Sequence, residues 1–304
     1  MSVASLLRGP LIGTCLASLL YGITCLQAFF YFQTYVNDRR GLKLTVALLL
    51  TLETIHVALS IWLVDNYLVV NYANERALQS ATWLTTVTFC IGFLIDLVVC
   101  FYFTWRIWMF TSKLWIVIFM IFMALARTTL SIIACILSVL SSTWVSYLEQ
   151  YRTLIITSNI LFIIGDAFSA SIMAWYLNRT RDHTLRTTLI LNRLLVFAVA
   201  TGGITVLVDI IALVFTLAQP LSLAFTAAIL VQTRLYANSL LVSLNLRNAN
   251  KRVYENAINT PSVELPMTSL AFAPYSTETG RSSEGASGVG KESWHTASGS
   301  GNVS

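Results

Sequence analysis

The chain has 304 residues, of which 56% are hydrophobic and only 11% are charged, and its mean hydropathy is +0.72. Charged residues make up about a quarter of an ordinary soluble domain, so this composition excludes that class and indicates an integral membrane protein. The net charge of +5 comes from basic residues spread over short loops between apolar stretches. This spread argues against a nucleic-acid partner, whose recognition needs basic residues on one face.

Seven apolar stretches are each long enough to cross the hydrocarbon of a bilayer, which takes ~20 residues of helix. They are residues 11–35, 44–64, 82–104, 114–140, 153–177, 194–218 and 221–245. Helices are expected because a span must satisfy its own backbone polar groups in lipid, and these stretches lack the alternation of barrel strands. The predicted fold class is all-α, a polytopic bundle of seven transmembrane helices in one domain over residues 1–247.

The distribution of basic residues predicts the orientation of the bundle. If the loops after spans one, three and five lie on the same side as the C-terminal segment, that side holds fourteen lysines and arginines, and the other side holds three. The positive-inside rule then places the N-terminus outside and the C-terminus in the cytosol, with the plasma membrane as the expected location. The sequon Asn178-Arg-Thr180 faces the cytosol in this topology and is expected to be unmodified.

Prolines and glycines predict where the chain turns. All five prolines fall outside the predicted span interiors, and Gln219-Pro220 predicts a tight turn between spans six and seven. Gly202-Gly203 in span six is interpreted as a close-packing point rather than a hinge. Residues 248–304 are interpreted as a disordered cytosolic tail because Ser, Thr and Gly dominate its final part.

Cysteines and aromatic residues are assigned to packing and to the membrane interface. The five cysteines all lie in apolar stretches, so no disulfide, metal site or cofactor is predicted. Aromatic residues near span ends are expected to anchor the helices at the interface. They are Trp62, Tyr67, Trp83, Trp105, Trp108, Trp144 and Trp175.

Ionisable residues inside the spans are the main functional signal. They are Glu53, His56, Asp96, Arg127, Asp166, Asp209 and Arg234. Each charge costs ~2.5 to 3.5 kcal/mol at the centre of a span, so each is expected to face protein or water. Their similar depth predicts one polar network near mid-membrane, in which Arg127 pairs with Asp96 and Arg234 pairs with Asp209. Glu53 and His56 are three apart on one helix face and are expected to touch.

Two interpretations of these charges remain open from the sequence. They form a ligand site, an ion site or a proton relay, or they are charge pairs that only fix helix packing. A retinal pigment is excluded because no lysine lies in a span. A metallohydrolase is disfavoured because His56 is the one histidine in a span. The protein is therefore not expected to be an enzyme.

The motifs of rhodopsin-type receptors are missing. Span three ends in Phe101-Tyr-Phe-Thr-Trp-Arg106, without an acidic residue before its arginine. Span seven carries Tyr236-Ala-Asn238 without a proline. The number of spans agrees with such receptors and the motifs do not.

Several short motifs carry a resemblance to a known family. They are Leu20-Tyr-Gly22, Gln27, Tyr31-Phe-Gln33, Asp38, Lys43, Thr54-Ile-His56, Arg106-Ile-Trp108, Ser112-Lys113, Gly165-Asp166-Ala167, Tyr176-Leu, Arg179-Thr-Arg181, Asn192-Arg193-Leu194, Arg234-Leu-Tyr236-Ala-Asn238-Ser239-Leu-Leu and Leu244-Asn245-x-Arg247. Through them, roughly residues 9–247 resemble the fungal, largely basidiomycete, integral membrane proteins grouped as domain of unknown function 6534.

The resemblance implies seven helices and a membrane location, and it supplies no ligand or catalytic residues. Its most distinctive part is the last motif, with Tyr236, Asn238, Ser239, Asn245 and Arg247. The chain departs from the family at Glu53, where Asp is expected, and at Arg234, where Lys is more usual. Both departures keep the charge.

The sequence therefore leads to three functional hypotheses. The first is a non-catalytic, receptor-like protein that senses a small ligand and acts on a cytosolic partner. The second is a secondary transporter or proton-coupled carrier that uses the mid-membrane charges, and the third is a structural membrane protein. The expected partners are the lipid bilayer, an unidentified small ligand and a cytosolic protein, with no nucleic acid and an open oligomeric state.

Overall fold

A computed structural model describes residues 3–72, 74–179 and 185–259, which within these ranges form nine α-helices and one turn of π-helix and no strand. The helices are α1 Val3–Thr34, α2 Arg40–Asp65, α3 Glu75–Leu78, α4 Trp83–Thr111, α5 Leu114–Leu140, α6 Trp144–Gln150, α7 Arg152–Arg179, α8 Leu185–Ala218 and α9 Ala224–Asn259, and the π-helix Asn66–Val70 continues α2. Seven of them, α1, α2, α4, α5, α7, α8 and α9, are long and apolar enough to cross a membrane. The predicted all-α bundle of seven spans is confirmed.

The outward faces of the long helices are apolar. Leu19 on α1 is 71% exposed and Phe122 on α5 is 65% exposed, and similar residues cover α2, α4, α7 and α8. A surface of this kind far exceeds the apolar patches that soluble monomers expose. It suits a multi-pass membrane protein, in which lipid covers these side chains.

Helix α9 lies at the centre of the bundle. Within its most apolar stretch, 67% of the residues are buried, against 22 to 44% for the other six long helices. It packs against α1, α8 and α4. Several polar residues of this stretch, among them Gln232, Arg234 and Asn238, are buried. A helix with this many polar side chains avoids lipid by taking the central position.

Two glycines bring α1 close to α9. A Cβ atom on Gly9 would lie 2.5 Å from the carbonyl oxygen of Leu223, and one on Gly13 would lie 2.6 Å from the Cα atom of Ala227. The Gly-x-x-x-Gly spacing places both on one face of α1, as in other close helix pairs in membranes. The prediction for Pro10 was wrong: it lies inside α1, because the helix begins at Val3 and includes residues that the sequence analysis left outside the first span.

The two ends of the bundle are defined by clusters of buried side chains. At one end, Leu6 of α1, Trp144 of α6 and Leu223 before α9 pack together, and we call this end the N-face. At the other end, which we call the C-face, Arg247 of α9 forms an ion pair with Asp38 between α1 and α2. Successive long helices therefore run in alternating directions between the N-face and the C-face.

The connections at the N-face are folded back onto the bundle. The hydroxyl of Tyr67 donates to the carbonyl of Ser80 at 2.7 Å, and the backbone N–H of Trp144 donates to the carbonyl of Gln79 at 2.7 Å. Both aromatic rings are buried. The prediction that Tyr67 and Trp144 are interface anchors was therefore wrong, because the short helices around them cover the N-face. The other five predicted anchors are exposed.

The remaining turn and glycine predictions concern α8 and α9. Helix α8 ends at Ala218 and α9 begins at Ala224, so the turn predicted around Pro220 is confirmed. A Cβ atom on Gly202 would lie 2.5 Å from the Cβ atom of Ala170 on α7, which makes Gly202 a packing position. Helix α9 continues through residues 248–259, which the sequence analysis assigned to the tail. The rest of the predicted tail lies outside the described residues.

Candidate functional site

All seven ionisable residues predicted from the sequence are buried between helices, with at most 7% of each exposed. They do not form the single network that was predicted. The hydrogen bonds of the described residues divide them into a cluster around Arg234, a chain that ends at Arg127, and Asp96, which has no ion-pair partner in either group.

The Arg234 cluster joins α9 to α2. The Arg234 guanidinium forms an ion pair with Glu53, donates to the Glu53 backbone carbonyl at 3.3 Å, and donates to His56 Nδ1 at 2.8 Å. Since arginine is only a donor, Nδ1 of His56 accepts and its proton lies on Nε2. Glu53 and His56, one helical turn apart, thus share Arg234 as their partner.

The predicted pair between Arg234 and Asp209 does not form, for a geometric reason. Gln232 and Arg234 are two residues apart on α9, so their side chains point about 200° apart around the helix. Arg234 faces α2, whereas Gln232 faces α8 and donates to Asp209 through its amide nitrogen. The apolar pattern predicts roughly how deep these residues lie in the membrane, but it does not predict the face of α9 on which each side chain lies.

The Arg234 cluster is sealed and tied to α1. The Asn238 amide donates to the backbone carbonyls of Arg234 at 3.0 Å and of Leu20 at 3.2 Å, and Thr24 donates to the Asn238 side-chain oxygen at 3.3 Å. Arg234 and Glu53 are both 0% exposed, and neither lines one of the two larger cavities. These contacts fix the packing of α1, α2 and α9.

The second group is a chain of hydrogen bonds across four helices. Arg127 of α5 forms an ion pair with Asp166 of α7 at 2.8 Å. The Tyr236 hydroxyl donates to the other Asp166 oxygen at 2.5 Å, and the Gln232 amide donates to that hydroxyl at 3.1 Å as well as to Asp209 of α8. The chain therefore connects Asp209 to Arg127 through α9.

The predicted pair between Arg127 and Asp96 was also wrong. Asp96 lines the same cavity as Ser131, which lies one turn closer to the N-face than Arg127 on α5. Ser131 and Arg127 are four residues apart, which corresponds to about 6 Å along the helix, and Arg127 lines the other cavity, where Asp166 is its ion-pair partner. The Phe162 ring, 4.6 Å from the Arg127 guanidinium carbon, covers Arg127 on the N-face side.

Gln232 is the site residue that the sequence analysis missed as a candidate. It is uncharged, so a search for ionisable residues in spans passes over it. Its signal is the spacing: Gln232 lies four residues before Tyr236, and this places the two side chains on the same face of α9.

Two cavities of about 80 Å³ each lie one behind the other in the bundle. The N-face cavity reaches from Trp144 and Leu223 at the N-face down to Asp96 and Asp209. The C-face cavity is lined by Met120 and Arg106, among other residues, and reaches up to the ion pair of Arg127 and Asp166. Each has space for several water molecules.

Five helices contribute to both cavities with residues that are one turn apart. The pairs, with the N-face cavity residue first, are Asp96 and Cys100 on α4, Ser131 and Arg127 on α5, Phe162 and Asp166 on α7, Asp209 and Thr205 on α8, and Gln232 and Tyr236 on α9. A spacing of four residues corresponds to about 6 Å. The two cavities are therefore separated by one layer of side chains, the central layer, formed by Arg127, Asp166 and Tyr236.

Two carboxyl groups of the N-face cavity each have an oxygen without a hydrogen-bond partner among the described residues. These oxygens are Oδ1 of Asp96 and Oδ2 of Asp209, and the two residues are 3% and 2% exposed. Buried carboxyl oxygens are rarely left unpaired in proteins. The two aspartates therefore mark the floor of this cavity as a place with unused polar capacity.

The remaining motif residues of α9 act nearer the C-face. The Asn245 amide donates to the Gln27 carbonyl of α1 at 2.9 Å, and the Arg247 guanidinium carbon lies 4.7 Å from the centre of the Tyr35 ring. Ser239 lines the C-face cavity. Most of this motif thus joins α9 to α1, and only Tyr236 and Ser239 contact a cavity.

Asp38, in the turn between α1 and α2, is the carboxyl partner of Arg247 at the C-face. Burial would raise the pKa of Asp38, but hydrogen bonds from Arg247, Tyr31 and the Arg39 backbone outweigh it and hold that pKa below its ordinary value. The carboxyl is thus a charged clamp on the last turn of the α9 span.

Metal binding has no structural support in the part of the chain that is described. No three His, Cys, Asp or Glu side chains of these residues lie close enough together to hold a metal ion.

Comparison with known proteins gives one family and no individual relative. Residues 162–249 match the sequence model of DUF6534, a family of unknown function. No curated protein and no solved structure matches the chain. The matching segment includes Asp166, Asp209, Gln232, Arg234 and Tyr236. The chain is thus similar to DUF6534 over the part that supplies three of the four helices of the hydrogen-bond chain.

Proposed function

We propose that this protein is a non-catalytic, receptor-like sensor that binds a small ligand in the N-face cavity and transmits binding to the C-face. The observation that supports it is the hydrogen-bond chain from Asp209 through Gln232 and Tyr236 to Asp166 and Arg127. Its first two members line the N-face cavity, and its last three line the C-face cavity.

Transmission follows from how tightly the chain is connected. A ligand that takes the hydrogen bond of Asp209 competes with Gln232, whose amide also donates to Tyr236. Tyr236 in turn holds Asp166 in place for Arg127. Buried polar networks of this kind have few alternative arrangements, so a change at one end is felt at the other. In the predicted orientation, the N-face is outside and the C-face cavity opens toward a cytosolic partner.

A carrier is the second candidate, and the thin central layer favours it. Two cavities that face opposite sides of the bundle and are separated by one side-chain layer also suit alternating access. Carrier sites are often built on interrupted helices, however, and the described residues of α4, α5, α7 and α9 form continuous helices across the central layer. The sensor therefore accounts for more of the geometry.

A purely structural role is assigned to the Arg234 cluster alone. Its three side chains are sealed between α2 and α9 and contact neither large cavity. The chain through Tyr236 differs because both of its ends line cavities. The seven intramembrane ionisable residues thus divide between a packing function and a ligand-sensing function.

The test separates ligand binding from transmission. A library of small molecules is screened by thermal shift on the full-length protein in nanodiscs, and a hit is then added to a variant with Cys100 as its single cysteine. Cys100 lines the C-face cavity, so its rate of reaction with a small thiol reagent reports on that cavity. The ligand is expected to change this rate in the parent protein.

The variant Tyr236→Phe removes the hydroxyl that joins Gln232 to Asp166 and keeps the ring. It is expected to bind the ligand and to lose the change in Cys100 reactivity. Tyr21→Phe is the matched control, because the Tyr21 hydroxyl forms a hydrogen bond with Thr54 and takes no part in the hydrogen-bond chain. This variant should behave like the parent protein. Accumulation of the hit inside proteoliposomes would favour the carrier instead, and a hit whose effect survives Tyr236→Phe would contradict transmission through Tyr236.

A further inference from the structure

The residues that line the N-face cavity indicate which class of ligand it binds, and this inference rests on the proposed sensor function. We propose that this cavity binds a small organic cation whose ammonium group lies against Asp96 and Asp209 and whose apolar part packs on the aromatic walls.

The buried carboxyl groups outnumber the buried arginines among the described residues. Among the described residues, two arginines and four carboxyl groups are buried in the long helices, and each of these arginines pairs with one carboxyl, Arg127 with Asp166 and Arg234 with Glu53. The carboxyls left without a described cationic partner are Asp96 and Asp209. Both line the N-face cavity, so the excess negative charge of the bundle interior is gathered at one place.

The carboxyl groups of Asp96 and Asp209 have hydrogen-bonding capacity that the described residues do not use. A buried carboxyl without a cationic partner carries a proton or needs a cation, because an unpaired charge is costly away from water. Each aspartate has an oxygen without a described hydrogen-bond partner, and a ligand ammonium has several N–H groups to offer. Gln232 donates to the other oxygen of Asp209 and so fixes the orientation of that carboxyl group.

The walls of the cavity select an organic cation. Aromatic residues from α4, α6, α7 and α9 line it: Phe89, Phe93, Trp144, Tyr147, Phe162 and Phe225. Aromatic faces attract cations and bury apolar groups, whereas an anion would meet two carboxyl groups and the negative faces of the rings. The volume of about 80 Å³ exceeds that of a single desolvated metal ion.

The nearest buried arginine already has a carboxyl partner. Arg127 forms an ion pair with Asp166 at 2.8 Å, and its guanidinium carbon lies 4.6 Å from the centre of the Phe162 ring, which lines the N-face cavity. His56 is not among the residues that line the cavity, and its Nδ1 accepts from Arg234. The charged groups that line the cavity itself are therefore the two aspartates.

The test uses three probes of the same shape and different charge. These are 2-phenylethylammonium, neutral 2-phenylethanol and anionic 3-phenylpropionate, and their binding to the full-length protein in nanodiscs is measured by competition with the tritiated ammonium compound. The ammonium probe is expected to bind about tenfold or more tightly than the other two, as charge complementarity in a buried site requires. Equal binding of the three probes would overturn the proposal.

The variants Asp96→Asn and Asp209→Asn keep the shape of the side chain and remove its charge. Each is expected to weaken the ammonium probe about tenfold or more, while Asp65→Asn, which changes an exposed carboxyl at the N-face end of α2, leaves binding unchanged. Asp96→Glu keeps a carboxyl group at this position, so it should bind the ammonium probe more tightly than Asp96→Asn does. This comparison separates the loss of charge from misfolding. Unchanged binding in the double variant Asp96→Asn/Asp209→Asn would overturn the proposal.

The outcome also separates this inference from the sensor proposal. If the ammonium probe binds through the two aspartates without changing Cys100 reactivity, the cation site stands and transmission fails. If a neutral molecule binds the N-face cavity and changes Cys100 reactivity through Tyr236, while the ammonium probe does not bind, the sensor stands and the cation assignment fails.

Discussion

Alternate residues on one stretch of α9 have different tasks because they point in opposite directions. Gln232 and Tyr236 face α7 and α8 and belong to the hydrogen-bond chain between the cavities. Arg234, between them in sequence, faces α2 and closes the packing cluster with Glu53 and His56. Sequence reasoning found Arg234 as an intramembrane charge, but it paired it with the wrong helix because depth alone does not define the face of a helix.

Substitutions of Arg234 test the packing role of its cluster. Arg234→Met leaves Glu53 buried without a cationic partner, and breaking a buried pair in this way costs about 3 to 5 kcal/mol. Arg234→Lys keeps the charge but loses the fork that contacts Glu53 and His56 together, so it should be intermediate. Thermal unfolding of the purified variants measures both. A Met variant as stable as the parent would show that the cluster does not hold α2 to α9.

The contact of Asp38 with Arg247 predicts a pH dependence. Because the pKa of Asp38 is lowered in the folded protein, its contribution to stability is complete above the ordinary carboxyl pKa of about 4 and is lost as the pH falls through the lower folded value. Asp38→Asn should therefore be less stable than the parent at pH 6, and the difference should shrink below about pH 4. A difference in unfolding midpoint that stays constant from pH 6 to pH 3 would contradict this.

At the scale of the helices, composition predicts the number of spans because each must be apolar over a fixed length. It does not predict which faces meet. The predicted anchors Tyr67 and Trp144 are buried, since the chain between spans folds into α3 and α6 and covers the N-face. The close approach of α1 to α9 at Gly9 and Gly13 is readable as a Gly-x-x-x-Gly spacing, but its partner helix is not.

Alanine substitutions of these glycines test the contact between α1 and α9. At Gly9 and Gly13, the added Cβ would lie within 2.7 Å of the α9 backbone, so the helices must move apart, at a cost of about 1 to 3 kcal/mol. Gly22→Ala is the matched control on the same helix, because its Cβ meets nothing within 4 Å, and it should be neutral or slightly stabilising. Equal unfolding temperatures for Gly13→Ala and Gly22→Ala would rule out the close approach.

In the whole molecule, five of the seven spans line two cavities that are separated by the central layer of Arg127, Asp166 and Tyr236. Sequence reasoning predicted the depth of the charges and left open whether they line a cavity. The structure divides them: Asp96 and Asp209 line the N-face cavity, whereas Glu53 and Arg234 are sealed. Such a division depends on how helices rotate about their axes, and residue types alone do not determine that rotation.

The two cavities are expected to face opposite sides of the membrane and to be closed to each other. Cys135 lines the N-face cavity and Cys100 lines the C-face cavity, so the chain carries its own reporters. Two variants, each retaining one of these cysteines and no other, are treated in intact cells and in inverted vesicles with a small, membrane-impermeant thiol reagent. We predict that Cys135 reacts only from the outside and Cys100 only from the cytosolic side. Reaction of both cysteines from the same side would show that the two cavities do not face opposite sides of the membrane.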